Sequence, residues 1–366
     1  MTHRPRTSTR RRTGALAAAS AAALVLVGCG ADGETDAGAG DEDAGTAGAG
    51  AGSEGGGDPV AACNEMAPDY PSGPLTVVVP WAAGGGTDGV ARLIANQLSD
   101  QIETQVNVVN RTGGSGVVGH QAMADAEPDG QTLGLVTVEI GMMHWQGLTE
   151  LTSEDLSAIS MMNQDPAGIT VEADAEWETA ADLLEHIEAN PGQVRASGTG
   201  QGGIWHLALL GMLMDNDIPL DAVNFIPSEG AAPALQELAA GGIDMTTNAL
   251  GESKTMLDAG RAQALAVMGS EADPNFPDVP TLEEQTGSDY SMSVWRGIVG
   301  PAGLDEQVVG ELECHLAIIA GSDEYNEFMS QSGLGVAYLG SEEFAEHMRQ
   351  DDAQKGEVME AAGLTD

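Results

Sequence analysis

The feature that most constrains the fold of this chain is a repeated alternation of short apolar runs with longer amphipathic segments. The runs have strand length, and the segments between them carry apolar residues at helical spacing. This order predicts an α/β fold with mostly parallel sheets, because a helix between two strands packs back onto the sheet. The predicted strands are 75–79, 106–109, 133–138, 194–197, 223–226, 243–245 and 264–268. One helix is predicted to begin with Thr87 or Asp88 as its N-cap. Further helices are predicted near 180–189, 204–215 and 231–239, and over 305–320.

The first 28 residues have the organisation of a secretion signal, with arginines between residues 4 and 12 and small apolar residues over 15–27. The apolar run is shorter than the ~20 residues of a membrane-spanning helix. It ends in Leu26-Val27-Gly28-Cys29, which resembles the bacterial lipobox. We therefore expect a signal peptide over 1–28, a lipid on Cys29 and an extracytoplasmic protein anchored to the outer face of the cell membrane. An ordinary cleaved signal is the alternative, and export by the Sec or the Tat route stays open.

Residues 29–68 are expected to begin with the acylated cysteine and continue as a disordered tether. Between residues 30 and 57 the chain holds 11 Gly and 7 acidic residues, and no side chain there is large enough to form a core. A flexible segment of this size has a typical reach of roughly 30 Å. It could hold a folded body clear of a membrane surface.

The charge balance excludes nucleic acid as a partner. The chain has 13 Lys and Arg against 57 Asp and Glu, which gives a formal charge of −44, and only Lys254 and Lys355 are lysines. Phosphate recognition relies on clustered cations, which this composition does not provide. Removal of the leader with its five arginines would take the charge from −44 to −49, a value that favours solubility in high salt.

Three cysteines are too few for a disulfide-built scaffold, and no C-x-x-C pair or His/Cys cluster has zinc-ligand spacing. With Cys29 assigned to lipid, Cys63 and Cys314 remain. Cys314 falls on the outward side of the helix predicted over 305–320, about 200° around it from Leu312. An oxidising exterior favours a disulfide between Cys63 and Cys314, and two free thiols are the alternative.

Two glycine-rich loops, each between a strand and a helix, are candidate anion sites. They are residues 83–88 (Ala-Gly-Gly-Gly-Thr-Asp) and 197–203 (Ser-Gly-Thr-Gly-Gln-Gly-Gly). Glycine lets backbone N–H groups face a ligand, and a helix N-terminus adds partial positive charge. Neither loop has the lysine of a P-loop or the spacing of a dinucleotide site. Ordinary turns are the alternative interpretation.

The sequence does not favour an enzyme. It contains no G-x-S-x-G or H-E-x-x-H motif, and its seven histidines show no ligand spacing. Ser197 would be a nucleophile only if a base approached it. We expect no catalytic residue, no metal and no cofactor.

Six segments in order carry a family pattern. They are 79–88 (VPWAAGGGTD) with Ala91-Arg92, 109–116, 128–133, 196–200 with 206–208, 277–281, and 295–297 with 300–303. Together they resemble the Bug-type (TctC-like) solute-binding proteins of tripartite tricarboxylate transporters, over about residues 70–363. The resemblance implies a type II periplasmic-binding-protein architecture, in which hinge strands join two α/β lobes. Lobe one is expected to comprise 70–163 and 294–366, and lobe two 164–293.

The same resemblance implies that a small carboxylate is captured in the interlobe cleft and passed to the membrane permease subunits of a tripartite tricarboxylate-type transporter. A lipoprotein that senses a ligand and signals to a membrane sensor kinase is the alternative. A monomer is expected. The resemblance leaves open which carboxylate is bound.

Carried over residue by residue, the resemblance implies ligand binding through backbone groups of loops from both lobes. Asp88 is expected to cap a helix rather than to bind, because a carboxylate repels an anion. Arg92 and Arg111 are expected to form scaffold ion pairs. The implied ligand-binding residues are Trp81, Ala82, Gly84, Gly85, Thr87 and Thr137 from lobe one, and Ser197, Gly198, Thr199, Gly200, His206, Ser228, Gly230 and Asn248 from lobe two.

Overall fold

The computed structural model describes residues 58–228 and 230–365. The predicted signal peptide, Cys29 and most of the predicted tether lie outside the described residues. The strands are β1 (Leu75–Val79), β2 (Val106–Asn110), β3 (Thr132–Thr137), β4 (Leu156–Glu172), β5 (Arg195–Ser197), β6 (Asn224–Phe225), β7 (Met245–Thr246), β8 (Ala262–Met268), β9 (Ser293–Pro301) and β10 (Val336–Leu339). The helices are α1 (Pro59–Cys63), α2 (Gly86–Gln101), α3 (Val117–Ala124), α4 (Ala180–Ala189), α5 (Ile204–Asp215), α6 (Ala231–Ala239), α7 (Leu250–Asp258), α8 (Leu282–Thr286), α9 (Glu306–Ala320), α10 (Asp323–Gln331) and α11 (Ser341–Ala361).

The first part of the fold is a parallel arrangement in which β1 pairs with both β2 and β3. Both faces of β1 are buried. Leu75 and Val77 belong to one hydrophobic core, together with residues of α2 and α9, whereas Val78 belongs to another. This two-sided burial explains why the strand is an almost continuous apolar run, interrupted only by Thr76.

Two long antiparallel strands, β4 and β9, run through the middle of the sheet. β9 lies between β3 and β4, and its register with β4 extends from Leu156 opposite Pro301 to Pro166 opposite Ser293. Beyond Pro166, β4 continues and pairs with β8 and β7 instead. One 17-residue strand therefore belongs to both halves of the sheet.

The second half is again an α/β layer, since β5 pairs in parallel with β6 and β7. Helix α5 is apolar on all sides, and its residues from Ile204 to Leu213 are buried. A helix that is apolar on all sides is stable only when other elements of the protein bury all of its faces. The core that contains α5 also contains Phe344, Met348 and Val358 of α11.

The N-terminal segment is fixed to α9. Cys63 and Cys314 are joined by a disulfide with Cα atoms 5.6 Å apart. The N–H of Ala67 donates to the buried carboxylate of Glu311 at 2.9 Å. Residues 58–68, which the sequence assigns to the tether, therefore form α1 and a turn that belong to the folded body.

Several predicted elements match the structure closely. Helices α4, α5 and α6 have the predicted bounds, and β1 is the predicted strand. The predicted N-cap of α2 at Thr87 or Asp88 is wrong, because Gly85 takes that position. The predicted strand 223–226 shortens to the two residues of β6, and the two-residue β7 shares only Met245 with the predicted strand 243–245. No helix in the part of the chain that the structure describes is long and apolar enough to cross a membrane.

Candidate functional site

The first turns of four helices line one cavity of about 300 Å³. Thr87 comes from α2, Ala231 from α6 and Glu252 from α7, while α5 provides Ile204 and Trp205. The remaining lining residues are Trp81, Thr137, Val138, Glu139, Thr199, Gly230, Val294, Trp295 and Arg296. Both halves of the sheet therefore contribute to this cavity, which we call the cleft.

The helix starts around the cleft have backbone N–H groups to offer. The N-cap residues of α2, α5 and α6 are Gly85, Gly203 and Gly230, and that of α7 is Ala249. Neither glycine nor alanine has a side-chain acceptor for the N–H groups of the first turn, which the i→i−4 bonds of a helix leave unsatisfied. In α7 the N–H of Glu252 donates to the carbonyl of Ala249 at 3.0 Å. An anion in the cleft would meet these donors together with the positive ends of the helix dipoles.

Asp88 fixes the first glycine-rich loop. It occupies the first turn of α2 and its carboxylate accepts from the N–H of Gly84 at 2.8 Å, from Arg92 Nε at 2.9 Å and from Asn110 Nδ2 at 2.9 Å. The hydrogen bond from Arg92 is the main reason that the pKa of Asp88 is lowered to about 2. Arg92 thus forms the scaffold ion pair that the sequence predicts, with Asp88 as its partner. The exposed Arg111 forms no ion pair with any of the described residues.

A chain of hydrogen bonds positions Thr137. Trp81 Nε1 donates to Thr137 Oγ1 at 3.1 Å, and that hydroxyl donates to Glu139 Oε2 at 2.5 Å. The backbone N–H of Thr137 donates to His120 Nε2 at 3.2 Å, while His120 Nδ1 lies 2.9 Å from the carbonyl oxygen of Gly116. Burial lowers the pKa of His120, so the ring is neutral, with its proton on Nδ1. His120 therefore supports the cleft from behind.

His206 supports the second glycine-rich loop. Its Nδ1 accepts from the N–H of Gly202 at 3.0 Å, and its ring stacks on Phe225 with centroids 4.0 Å apart. Burial lowers the pKa of His206 to about 4, so the ring is neutral at pH 7. The loop is also tied to Ser228, whose N–H donates to the carbonyl of Thr199 at 2.9 Å.

Asn248 and Glu252 form a polar pair at the start of α7. Asn248 is fully buried, and its Nδ2 lies 3.4 Å from Glu252 Oε2. Glu252 keeps contact with solvent, yet the walls of the cleft surround it. Desolvation by these walls raises the pKa of Glu252 to about 7, against the opposing effects of Asn248 and Arg296.

Arg296, on β9, brings a guanidinium group into the cleft. Its Nε donates to Thr87 Oγ1 at 3.1 Å, and its Nη1 donates to Asp165 Oδ2 at 3.1 Å and to Asn163 Oδ1. The arginine thus links α2 to β4. Its charge is matched by that of Asp165, which is buried beside it.

The structure brings only part of the predicted ligand set to the cleft lining. Trp81, Thr87, Thr137, Thr199 and Gly230 line it. The remaining predicted residues are not lining residues, and they are Ala82, Gly84, Gly85, Ser197, Gly198, Gly200, His206, Ser228 and Asn248. Sequence reasoning missed Val138, Glu139, Ile204, Trp205, Ala231, Glu252, Val294, Trp295 and Arg296. For Ala231 a signal existed, since it follows Gly230 at the start of a predicted helix.

A larger cavity of about 840 Å³ lies elsewhere, lined mainly by residues 269–275, β10 and α11. It contains neither glycine-rich loop and none of the four helix starts, so we place the functional site in the smaller cleft. The described residues contain no group of three or more side chains that could hold a metal ion.

The fold has two α/β halves, long strands that cross between them, and a cleft that both halves line. This combination defines a solute-binding protein of the two-lobe type. A model of the family described as tripartite tricarboxylate transporter family receptor (TctC) matches residues 90–364. The chain belongs to this family of extracytoplasmic solute-binding receptors, which are not enzymes.

Relatives and solved structures agree with this assignment. The chain is 32% identical to a UPF0065 protein of Agrobacterium vitis over 63% of this chain and 67% of that protein. It is 28% identical to the protein BugT of Bordetella pertussis over 68% and 77% of the two chains.

Among solved structures, a TctC solute-binding protein from Polaromonas is similar at a TM-score of 0.73 and 32% identity, over 80% of this chain and 99% of that chain. The R. palustris protein Rpa4515 with adipate gives a TM-score of 0.69 and 25% identity, over 81% and 99%. These similarities confirm the predicted α/β class with type II periplasmic-binding-protein architecture and the resemblance drawn from six segments.

Proposed function

We propose that this receptor captures a small carboxylate in the cleft and delivers it to the membrane permease subunits of a tripartite tricarboxylate-type transporter. The observation that carries the proposal is the convergence of four helix starts, capped by Gly85, Gly203, Gly230 and Ala249, on one cavity. Such a site binds an anion through backbone donors. It needs no free cationic side chain.

The size and position of the cleft fit this role. A volume of about 300 Å³ is at the small end of ligand pockets. The relative Rpa4515, solved with adipate, supports a small carboxylate as the class of ligand.

The lobes predicted from the sequence, 70–163 with 294–366 and 164–293, would close on the ligand about β4 and β9. Strand β4 changes partner after Pro166, from β9 to β8 and β7, which supports a hinge near the predicted boundary. A ligand that contacts both lobes favours the closed state by the difference between its affinities for the two states. Closure is the signal that a permease would recognise.

Membrane attachment through a lipid on Cys29 completes the proposal. A tether that begins at Cys29 and ends near residue 57 would keep a monomeric receptor close to the permease, on the outer face of the membrane. Labelling with a radioactive fatty acid, in the native chain and in Cys29→Ala, tests the anchor. Label on the native chain alone supports it, and absence of label on both refutes it.

Isothermal titration calorimetry with mono-, di- and tricarboxylates and acidic amino acids tests the ligand class. The critical variant is Ala231→Pro, which removes one N–H from the first turn of α6. Proline is tolerated at this first helical position, so the helix is expected to form. A hydrogen bond to a charged group contributes about 1.5–3 kcal/mol, so affinity should fall at least tenfold.

The matched control is Glu306→Pro, which makes the same change at the first position of α9, outside the cleft lining. It should bind with unchanged affinity. If no carboxylate binds while neutral solutes do, the proposed function is refuted. Equal affinity in Ala231→Pro and the native chain would remove α6 from the anion site.

A further inference from the structure

We infer that Gln146 is an interlobe latch, whose side chain holds the two lobes together beside the cleft and slows the release of a bound solute. The inference rests on the proposed closure of the lobes about β4 and β9. It concerns the stability of the closed state and not the chemistry of the ligand. It is carried by a hydrogen bond between two loops that lie far apart in the chain.

The amide of Gln146 reaches the second glycine-rich loop. Gln146 Nε2 donates to the carbonyl oxygen of Gly202 at 2.7 Å, and the two residues are 56 positions apart in the chain. In the proposed division Gln146 belongs to lobe one and Gly202 to lobe two. An opening motion that separates the two loops therefore has to break this bond.

The segment that carries Gln146 is held firmly against α11. The neighbouring Trp145 donates from its Nε1 to Asp352 Oδ1 at 2.9 Å. Its ring packs so closely on the helix that a Cβ added to Gly356 would lie 2.4 Å from Cζ2 of the indole. Glu139, earlier in the same segment, lines the cleft. Gln146 thus extends from a fixed support on lobe one.

Gly202 has the geometry to receive this amide. It is buried, and its φ of +76° is a conformation that favours glycine. Its N–H donates to His206 Nδ1 at 3.0 Å, so both polar groups of its backbone are engaged. A Cβ at this position would lie 3.1 Å from Gln146 Nε2, closer than an ordinary van der Waals contact. Buried carbonyl groups are rarely left without a donor, so loss of the amide is unfavourable in the closed state.

The latch acts on the walls of the cleft. Thr199 and Ile204 line the cleft on either side of Gly202. A hydrogen bond that exists only in the closed state raises the ratio of closed to open molecules, and the apparent affinity rises with the closed fraction. A bond between uncharged groups changes such a ratio by roughly three- to tenfold. Because a solute leaves after the lobes open, the effect falls mainly on the dissociation rate.

The critical variant is Gln146→Met, whose side chain has a similar length and no hydrogen-bond donor. Its rates are measured by stopped-flow with the carboxylate that binds most tightly in the calorimetric series. The dissociation rate constant should rise roughly three- to tenfold, while the association rate constant stays within about twofold. The matched control is Gln331→Met, which removes a hydrogen bond to Glu327 on the exposed side of α10 and should change neither constant. An unchanged dissociation rate in Gln146→Met, or a change confined to association, overturns the inference.

Small-angle X-ray scattering of the chains without added carboxylate tests the latch independently of any ligand. Gln146→Met should have a larger radius of gyration than the native chain, because fewer of its molecules are closed. Gln331→Met should match the native chain. Equal radii for Gln146→Met and the native chain overturn the inference and leave the proposed function intact. If no carboxylate binds the native chain, the proposed function fails, and the scattering comparison alone decides whether Gln146 is a latch.

Discussion

The buried ion pair between Lys355 and Asp351 on α11 gives the sharpest test of how this fold is stabilised. Lys355 has no exposed side-chain surface, Asp351 is 7% exposed, and the two form a salt bridge. Asp351→Asn removes the carboxylate and leaves a buried ammonium group, which typically costs about 3–5 kcal/mol. The amine lies over the ring of Trp295, a residue of the cleft lining, so the substitution would also change the surroundings of that ring.

The magnitude has an upper bound, because the amine can release its proton instead. Burial already lowers the pKa of Lys355, against the opposing effects of Asp351, Glu139 and Asp352. With an ordinary pKa of 10.5, keeping the amine neutral costs about 4.8 kcal/mol at pH 7 and about 2 kcal/mol at pH 9. In this regime the unfolded variant binds more protons than the folded one, so its stability rises with pH.

Urea denaturation of the signal-free chain at pH 7 and pH 9, followed by tryptophan fluorescence and circular dichroism, measures the effect. Glu346→Gln, which breaks the exposed pair with Arg349 on the same helix, is the matched control and should change stability little. A loss below about 1 kcal/mol at pH 7 in Asp351→Asn would refute the reasoning. A loss that grows from pH 7 to pH 9 would refute the proton-release argument.

Three further predictions use other parts of the structure. Asp88→Asn should lower the free energy of unfolding by about 1 kcal/mol above pH 4. The difference should vanish towards pH 2, because the contacts that lower the pKa of Asp88 stabilise only its ionised form. Urea denaturation across this pH range measures the effect, and a loss that does not depend on pH would refute the prediction. Gly211→Ala places a Cβ 2.0 Å from Tyr290 Oη and should cost about 1–3 kcal/mol, whereas Gly321→Ala meets ordinary contacts and should fold normally in the same assay. Ligand association in stopped-flow should accelerate with salt, because the negative body repels an anion; a falling rate would contradict this.

Local sequence patterns were sufficient for the elements that are defined by their own residues. Helix α5 has the predicted bounds because every turn of it is apolar, and β1 because four of its five residues are apolar and are buried on its two faces. The glycine-rich loops were visible for a similar reason, since each stands between a strand and a helix. Cys63 and Cys314 were available for pairing once Cys29 was assigned to lipid, and only the fold brings their Cα atoms to 5.6 Å.

The long strands were not predicted, and neither was the arginine of the cleft. Strand β4 contains Ser157, Asn163 and Asp165 among its 17 residues. These three side chains form hydrogen bonds with Leu304, Gly335 and Arg296, which are distant in the chain. Arg296 was quoted only as part of a family segment. Its contacts to Asp165 and Thr87 span 131 and 209 residues along the chain, a separation that no local pattern encodes.

The sequence by itself determined the α/β class, the two glycine-rich loops and the family, because periodicity, loop chemistry and short ordered segments are local properties of the chain. Only the tertiary structure decided which helix starts face one cavity and that Glu139 and Glu252 share it with Arg296. The physical reason is that the direction of a helix start and the surroundings of a charge depend on strand pairing. Residues far apart in the chain set that pairing through backbone hydrogen bonds and the burial of both faces of the sheet.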